Sequence, residues 1–157
     1  MIIKQLVDED FVNYKKPSMF IGFPKCSFKC DKECGMQVCQ NSTLELSQNI
    51  NIDTDRLVER YLNNPITHSI VCGGLEPIDT FDELIKFISC LREKTDDDIV
   101  IYTGYYKDEI SNKINELYKF KNIIVKFGRF IPYHEKHYDE VLGVYLASDN
   151  QYAERVS

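Results

Sequence analysis

The sequence has no long apolar run, no basic surplus, no internal repeat and no low-complexity tract. Each absence removes a class of function. Without roughly 20 consecutive apolar residues, no transmembrane helix is expected. The N-terminus turns acidic at Asp8-Glu9-Asp10, where a signal peptide needs its apolar segment to continue, so a cytoplasmic location is expected. A net charge of −6 argues against nonspecific nucleic-acid binding, which depends on cations that displace counterions. Tyrosines and phenylalanines are scattered and read as core or interface packing. The histidines, His68, His134 and His137, fall in polar stretches and read as loop or surface residues, and Asp96-Asp97-Asp98 reads as a solvated turn.

What the chain does have is cysteine, and it is concentrated. Of six cysteines, four lie close together, at Cys26, Cys30, Cys34 and Cys39, just after an apolar segment. In a reducing compartment clustered thiols more often hold a metal or do chemistry than form bridges. The loop is a disulfide knot, a structural zinc site or a cradle for an iron–sulfur cluster. Four thiols spaced Cys-x3-Cys-x3-Cys-x4-Cys suit tetrahedral zinc; three thiols would leave one iron of a cubane without a protein ligand. Cys72 and Cys90 read as small hydrophobes.

The 157 residues suggest one domain, residues 1–157, with its own core. Ser18 to Phe23 reads as a strand, followed by the cysteine loop to about Ser42. Asp53 to Asn63 reads as a helix with Leu57, Val58, Tyr61 and Leu62 on one stripe. Ser69 to Cys72 is a short strand ending at Gly73-Gly74. Thr80 to Glu93 is a helix, with a capping box from Thr80 and Glu83 and an apolar face of Leu84, Ile85, Ile88 and Leu91. Ile99 to Tyr102 is a strand, Lys107 to Tyr118 a helix with Ile110, Ile114 and Leu117 inward, and Asn122 to Phe127 a strand. Ile2 to Leu6 and Val141 to Leu146 are two further strand candidates. Alternating strands and helices imply right-handed crossovers and a parallel sheet. Four strands are too few for a closed eight-stranded barrel, so the expected fold is α/β with an open, partial parallel β/α barrel. Ligands gather at the carboxyl ends of such strands. Here those ends carry the cysteine loop, Gly73-Gly74, Thr103-Gly104 and Gly128-Arg129.

In this order the motifs resemble the radical S-adenosylmethionine (SAM) enzymes, and more narrowly the activating proteins of anaerobic ribonucleotide reductase. Cys26 and Cys30 match the first pair of that family's cysteine motif, and Cys39-Gln40-Asn41 resembles its end. Gly73-Gly74-Leu75-Glu76-Pro77 resembles a Gly-Gly-Glu-Pro with one leucine inserted; Thr103-Gly104-Tyr105, Gly128-Arg129-Phe130 and Ser148-Asp149-Asn150-Gln151 follow at similar places. The third ligand is either Cys34, by close spacing, or Cys39, by its Cys-x-Asn context, and the context favours Cys39. An aspartate common before the later Gly-Arg-Phe is replaced here by Lys126-Phe127.

The resemblance implies a [4Fe–4S] cluster on Cys26, Cys30 and Cys39, with SAM on the open iron. It implies reductive cleavage of SAM to methionine and a 5′-deoxyadenosyl radical, which takes a hydrogen atom from a backbone glycine of the reductase large subunit. Flavodoxin or ferredoxin would donate the electron. Gly73 and Gly74 would let the backbone approach the methionine moiety, because neither has a Cβ. Glu76 would accept a hydrogen bond from the SAM amino group, Thr103 would offer a hydroxyl, and Lys126 or Arg129 would pair with the carboxylate. Lys25 and Lys29 would bias the cluster potential. Radical chemistry on another peptide or a small metabolite, and a non-catalytic zinc-binding module, are the alternatives.

Overall fold

The computed structural model describes all residues from Met1 to Ser157. Its strands are β1 (Ile2–Ile3), β2 (Gln5–Asp10), β3 (Ser18–Phe23), β4 (Ile50–Asn51), β5 (Ser69–Gly74), β6 (Asp98–Tyr102), β7 (Ile123–Phe127), β8 (His137–Asp139), β9 (Val144–Leu146) and β10 (Tyr152–Arg155). Its α-helices are α1 (Lys29–Cys34), α2 (Ser42–Glu45), α3 (Thr54–Leu62), α4 (Phe81–Arg92) and α5 (Ser111–Leu117). Single 3-10 turns, Pro77–Thr80 and Lys107–Ile110, lead into α4 and α5. No helix is long and apolar enough to cross a membrane.

The central sheet has six strands in the order β10-β7-β6-β5-β3-β2. Strands β3, β5, β6 and β7 run parallel. Both edges are antiparallel: β2 against β3, and β10 against β7. The sheet is therefore mixed rather than purely parallel: β2 turns back directly on β3, whereas β10 returns beside β7 only after the β8–β9 hairpin.

Side-chain alternation along the strands splits the interior into two layers. Ile70, Cys72, Ile99, Ile101, Ile123 and Val125 point into the larger core with Leu57, Leu84, Phe87, Ile88, Ile114 and Leu117 of the helices. Val71, Val100 and Ile124 point the other way, into a smaller core closed by Tyr14, Leu142, Leu146 and Ala153. Helices thus cover one face, while the β8–β9 hairpin and the β2–β3 connection cover the other.

Several sequence expectations need correction. The cysteine loop is not irregular throughout, since α1 and α2 form within it. Ile2 to Leu6 is broken at Lys4 into two strands with different partners, β4 for one and β3 for the other. Val141 to Leu146 contributes only β9, which pairs with β8 outside the main sheet. Thr80 caps nothing: its hydroxyl is buried without a partner, because the 3-10 turn before α4 moves the true start of the helix back to Glu76, whose carboxylate accepts from Ile78 N–H. Leu62 is exposed at the end of α3 rather than part of its buried stripe. Asp98 is no solvated turn residue: it is buried, accepting hydrogen bonds from Tyr14, Lys16 and Arg155.

Candidate iron–sulfur site

A cavity of about 440 Å3 opens at the carboxyl ends of the parallel strands. That volume falls in the usual range for a cofactor or small-molecule site. Cys26, Cys30 and Cys39 line it together with Gly73, Gly74, Glu76, Thr103 and Lys126. Each strand delivers part of the set. The chain leaving β3 carries Cys26, β5 ends in the two glycines, β6 leads to Thr103, and Lys126 comes from β7. Cys34, at the far end of α1, does not line the cavity.

Backbone amides favour the charged form of all three cavity sulfurs. Phe28 N–H lies 3.2 Å from Cys26 Sγ; its own φ of 51° is the left-handed turn that aims it there. At Cys30 the Phe130 amide, and at Cys39 the Asn41 amide, favour the thiolate. Burial pushes the Cys26 thiol up to about 12 and raises Cys30 and Cys39, and the backbone donors oppose that rise. Iron would reverse the balance, because a coordinated thiol is deprotonated outright and N–H groups aimed at sulfur favour that form. No three His, Cys, Asp or Glu side chains converge closely enough to hold one metal ion.

The floor of the cavity carries a buried pair of opposite charges. Glu76 Oε2 accepts from Gly104 N–H at 2.8 Å, and Oε1 from Ile78 N–H at 3.1 Å. Burial raises its carboxyl to about 7 despite these donors and the Thr103 hydroxyl. Lys126 Nζ donates to Gly128 O at 2.9 Å. Burial lowers it to about 8, with Glu76 and Cys30 pulling the other way. Both groups therefore titrate near neutrality, as functional side chains often do.

The glycines serve the fold as well as the cavity. Gly74 has a φ of +83°, and a Cβ there would lie 2.7 Å from Gly22 Cα on the neighbouring strand. A Cβ on Gly73 would press on the Phe20 ring at 3.2 Å. Close packing of β3 on β5 thus already demands glycine at 74 and crowds a side chain at 73, beside the ligand approach the resemblance implies.

Arg129 does not line the cavity. Its guanidinium is buried against Glu33 and Glu109 and stacks on the Tyr106 ring, 4.7 Å from the centroid. It is committed to carboxylates of the chain itself, so of the two candidates for a cofactor carboxylate only Lys126 lines the cavity. Lys29 is likewise engaged, with Glu109 at 3.3 Å and over the Tyr105 ring. Of the histidines, His134 is exposed beside Asp149 and His137 hydrogen-bonds Gln151 O, and neither lines the cavity. Cys72 is fully buried as expected, whereas Cys90 donates its S–H to Asp55.

Sequence reasoning noted the run Ser148–Gln151 without giving it a role. Gln151 lines the cavity, accepting from Ala147 and Ser148 N–H and donating to Gly128 O. Its signal was an amide in an otherwise ordinary turn, which composition alone does not distinguish.

Compared with known protein families, residues 18–152 match the 4Fe-4S single cluster domain. The chain belongs to that family. A search of curated proteins and one of solved structures returned no match. The family spans every strand of the cavity rim, so the iron–sulfur reading of the cysteine loop is the one that stands. The donor set fits such a cluster: three half-buried thiols line one cavity, with Phe28 N–H on the Cys26 sulfur and backbone amides favouring the thiolate at the other two.

Proposed function

We propose that Cys26, Cys30 and Cys39 bind a [4Fe–4S] cluster, that its remaining iron takes SAM, and that the protein is a radical enzyme generating a glycyl radical on an anaerobic ribonucleotide reductase. The observation that carries this reading is the shared lining of one cavity by three cysteines and by Gly73, Gly74, Glu76, Thr103 and Lys126. Held by these cysteines, such a cluster would supply the electron for reductive cleavage of SAM, and so the means to take a hydrogen atom from a glycine Cα of the partner.

The chain's own residues bind and orient. Glu76 lies where it can take a hydrogen bond from an ammonium, and its burial strengthens any charge-assisted contact. Lys126, also buried, offers the complementary charge to a carboxylate. An amino acid moiety carries both groups, so this pair matches the methionine end of SAM. The flat surface of Gly73 and Gly74 leaves room for that end beside the cysteines. Exposed Val12 and Tyr145 border the other end of the cavity, where a polypeptide loop can enter, in keeping with a protein substrate.

The test is anaerobic reconstitution with iron and sulfide, followed by SAM and dithionite. About four irons per chain and formation of 5′-deoxyadenosine and methionine are expected. Zinc with no labile sulfide would overturn the cluster, and an intact cluster with no SAM cleavage would overturn the radical chemistry.

A further inference from the structure

Helix α1 carries Cys30, yet it is only six residues long and buries none of them. A helix that short is not stable in isolation, and it has no side-chain cap at its N-terminus. Something other than hydrophobic packing must hold it against the rim.

We infer that Arg129 is a positioning residue that straps the cysteine-bearing helix to the sheet by bridging Glu33 on α1 and Glu109 on the 3-10 turn after β6. The inference rests on the proposed cluster site. Arg129 Nε lies 2.7 Å from Glu33 Oε2, a close ion pair although the N–H is poorly aligned for a hydrogen bond. Its other arm donates to Glu109 Oε1. The arginine side chain is 7% exposed, against 52% for Glu33 and 28% for Glu109. A buried guanidinium paired with carboxylates is a strong, directional contact, and one broken partner leaves an uncompensated charge. Lys29, in the first turn of α1, adds a second tie to Glu109.

The main chain of Arg129 is fixed from the opposite side. Its carbonyl accepts from Asn150 Nδ2 at 2.9 Å and from Ser148 Oγ at 3.4 Å, while Gln151 Nε2 donates to the preceding Gly128 carbonyl at 3.3 Å. The next residue, Phe130, lines the cavity together with Cys30. Arg129 thus joins three things: the C-terminal run, the carboxyl end of β7 and the helix bearing Cys30. Gly128 and Phe130 line the cavity and Arg129 does not, so the side chain acts through α1 and not on a ligand.

Two variants and two readouts test this. Arg129→Lys keeps the charge but loses the planar fork that spans both carboxylates; Glu33→Gln, at a half-exposed site, removes one partner with little risk to folding. Hydrogen–deuterium exchange of the apoprotein is expected to rise roughly tenfold in residues 26–41 in both variants, the effect of about one charge-assisted contact, with β5 and β6 unchanged. In reconstituted protein, iron release to a chelator is expected to accelerate by a similar factor, and the double variant to lose no more than Arg129→Lys alone. Wild-type exchange in residues 26–41, or loosening spread evenly through the central strands, would overturn the strap. A wild-type protein that binds no cluster would sink the cluster reading, while the exchange arm would still decide the role of Arg129.

Discussion

Asp31 Oδ1 accepts a hydrogen bond from the backbone N–H of Cys39 at 2.7 Å, and another of equal length from Val38 N–H. The carboxylate of α1 therefore sets where the third cavity cysteine lies relative to Cys30. A carboxylate held by two backbone donors is a charge-assisted cap. Asp31→Ala is expected to weaken the turn by about 1–3 kcal/mol and to reduce iron retained after gel filtration. Asp31→Asn, which keeps an acceptor oxygen, should retain more. Equal iron in all three proteins would show that Asp31 does not set the Cys39 position.

The choice of ligand gives a second prediction. Cys39 lines the cavity with Cys26 and Cys30; Cys34 does not. Cys39→Ala should abolish the cluster absorption after reconstitution, and Cys34→Ala should leave iron and sulfide content as in the wild type. The reverse pattern would transfer the ligand role to Cys34.

Much of this was legible in the sequence, for identifiable reasons. Continuous apolar strands such as Ile123–Phe127 announce burial on both faces, and helix α3 has Asp53 as its cap, accepting from Asp55 and Arg56 N–H. Local signals sufficed there. Edge strands did not announce themselves: Tyr152–Arg155 pairs with β7 only because tertiary structure brings the C-terminal run back. The same long-range return hid the role of Gln151. The buried state of Asp98 was equally invisible, since its three partners lie at Tyr14, Lys16 and Arg155, far away along the chain. At the cavity, residue types and order pointed to the rim, but only the folded chain separates Arg129, buried against Glu33 and Glu109, from Lys126, which lines the cavity.

A third prediction contrasts two glycines in the left-handed region. Gly74 has φ +83° and no space for a Cβ beside Gly22; Gly35, with φ +67°, has nothing within 4 Å. Gly35→Ala should cost only the conformational strain, about 1–2 kcal/mol. Gly74→Ala adds a backbone collision and should cost clearly more, measured by urea unfolding of the apoprotein. Equal losses would mean that β3 and β5 tolerate separation at that point.

Asp98 gives a pH dependence. Burial pushes its carboxyl up, but hydrogen bonds from Lys16, Arg155 and Tyr14 overcome this and hold it below the ordinary 3.8. A depressed carboxylate contributes stability that is fully present above its unfolded value and is lost as pH falls through the folded one. Unfolding free energy should therefore drop as pH falls below about 4, and Asp98→Asn should flatten part of that drop while destabilising the protein at neutral pH. An unchanged acid limb in the variant would remove Asp98 from the account.

The most direct test of the central claim is Mössbauer spectroscopy of protein reconstituted with 57Fe, recorded with and without SAM. A cluster held by Cys26, Cys30 and Cys39 has one iron without a protein thiolate, so the account predicts that a single iron site changes its isomer shift and quadrupole splitting when SAM is added. Spectra in which all iron sites are thiolate-bound and unaffected by SAM would contradict it.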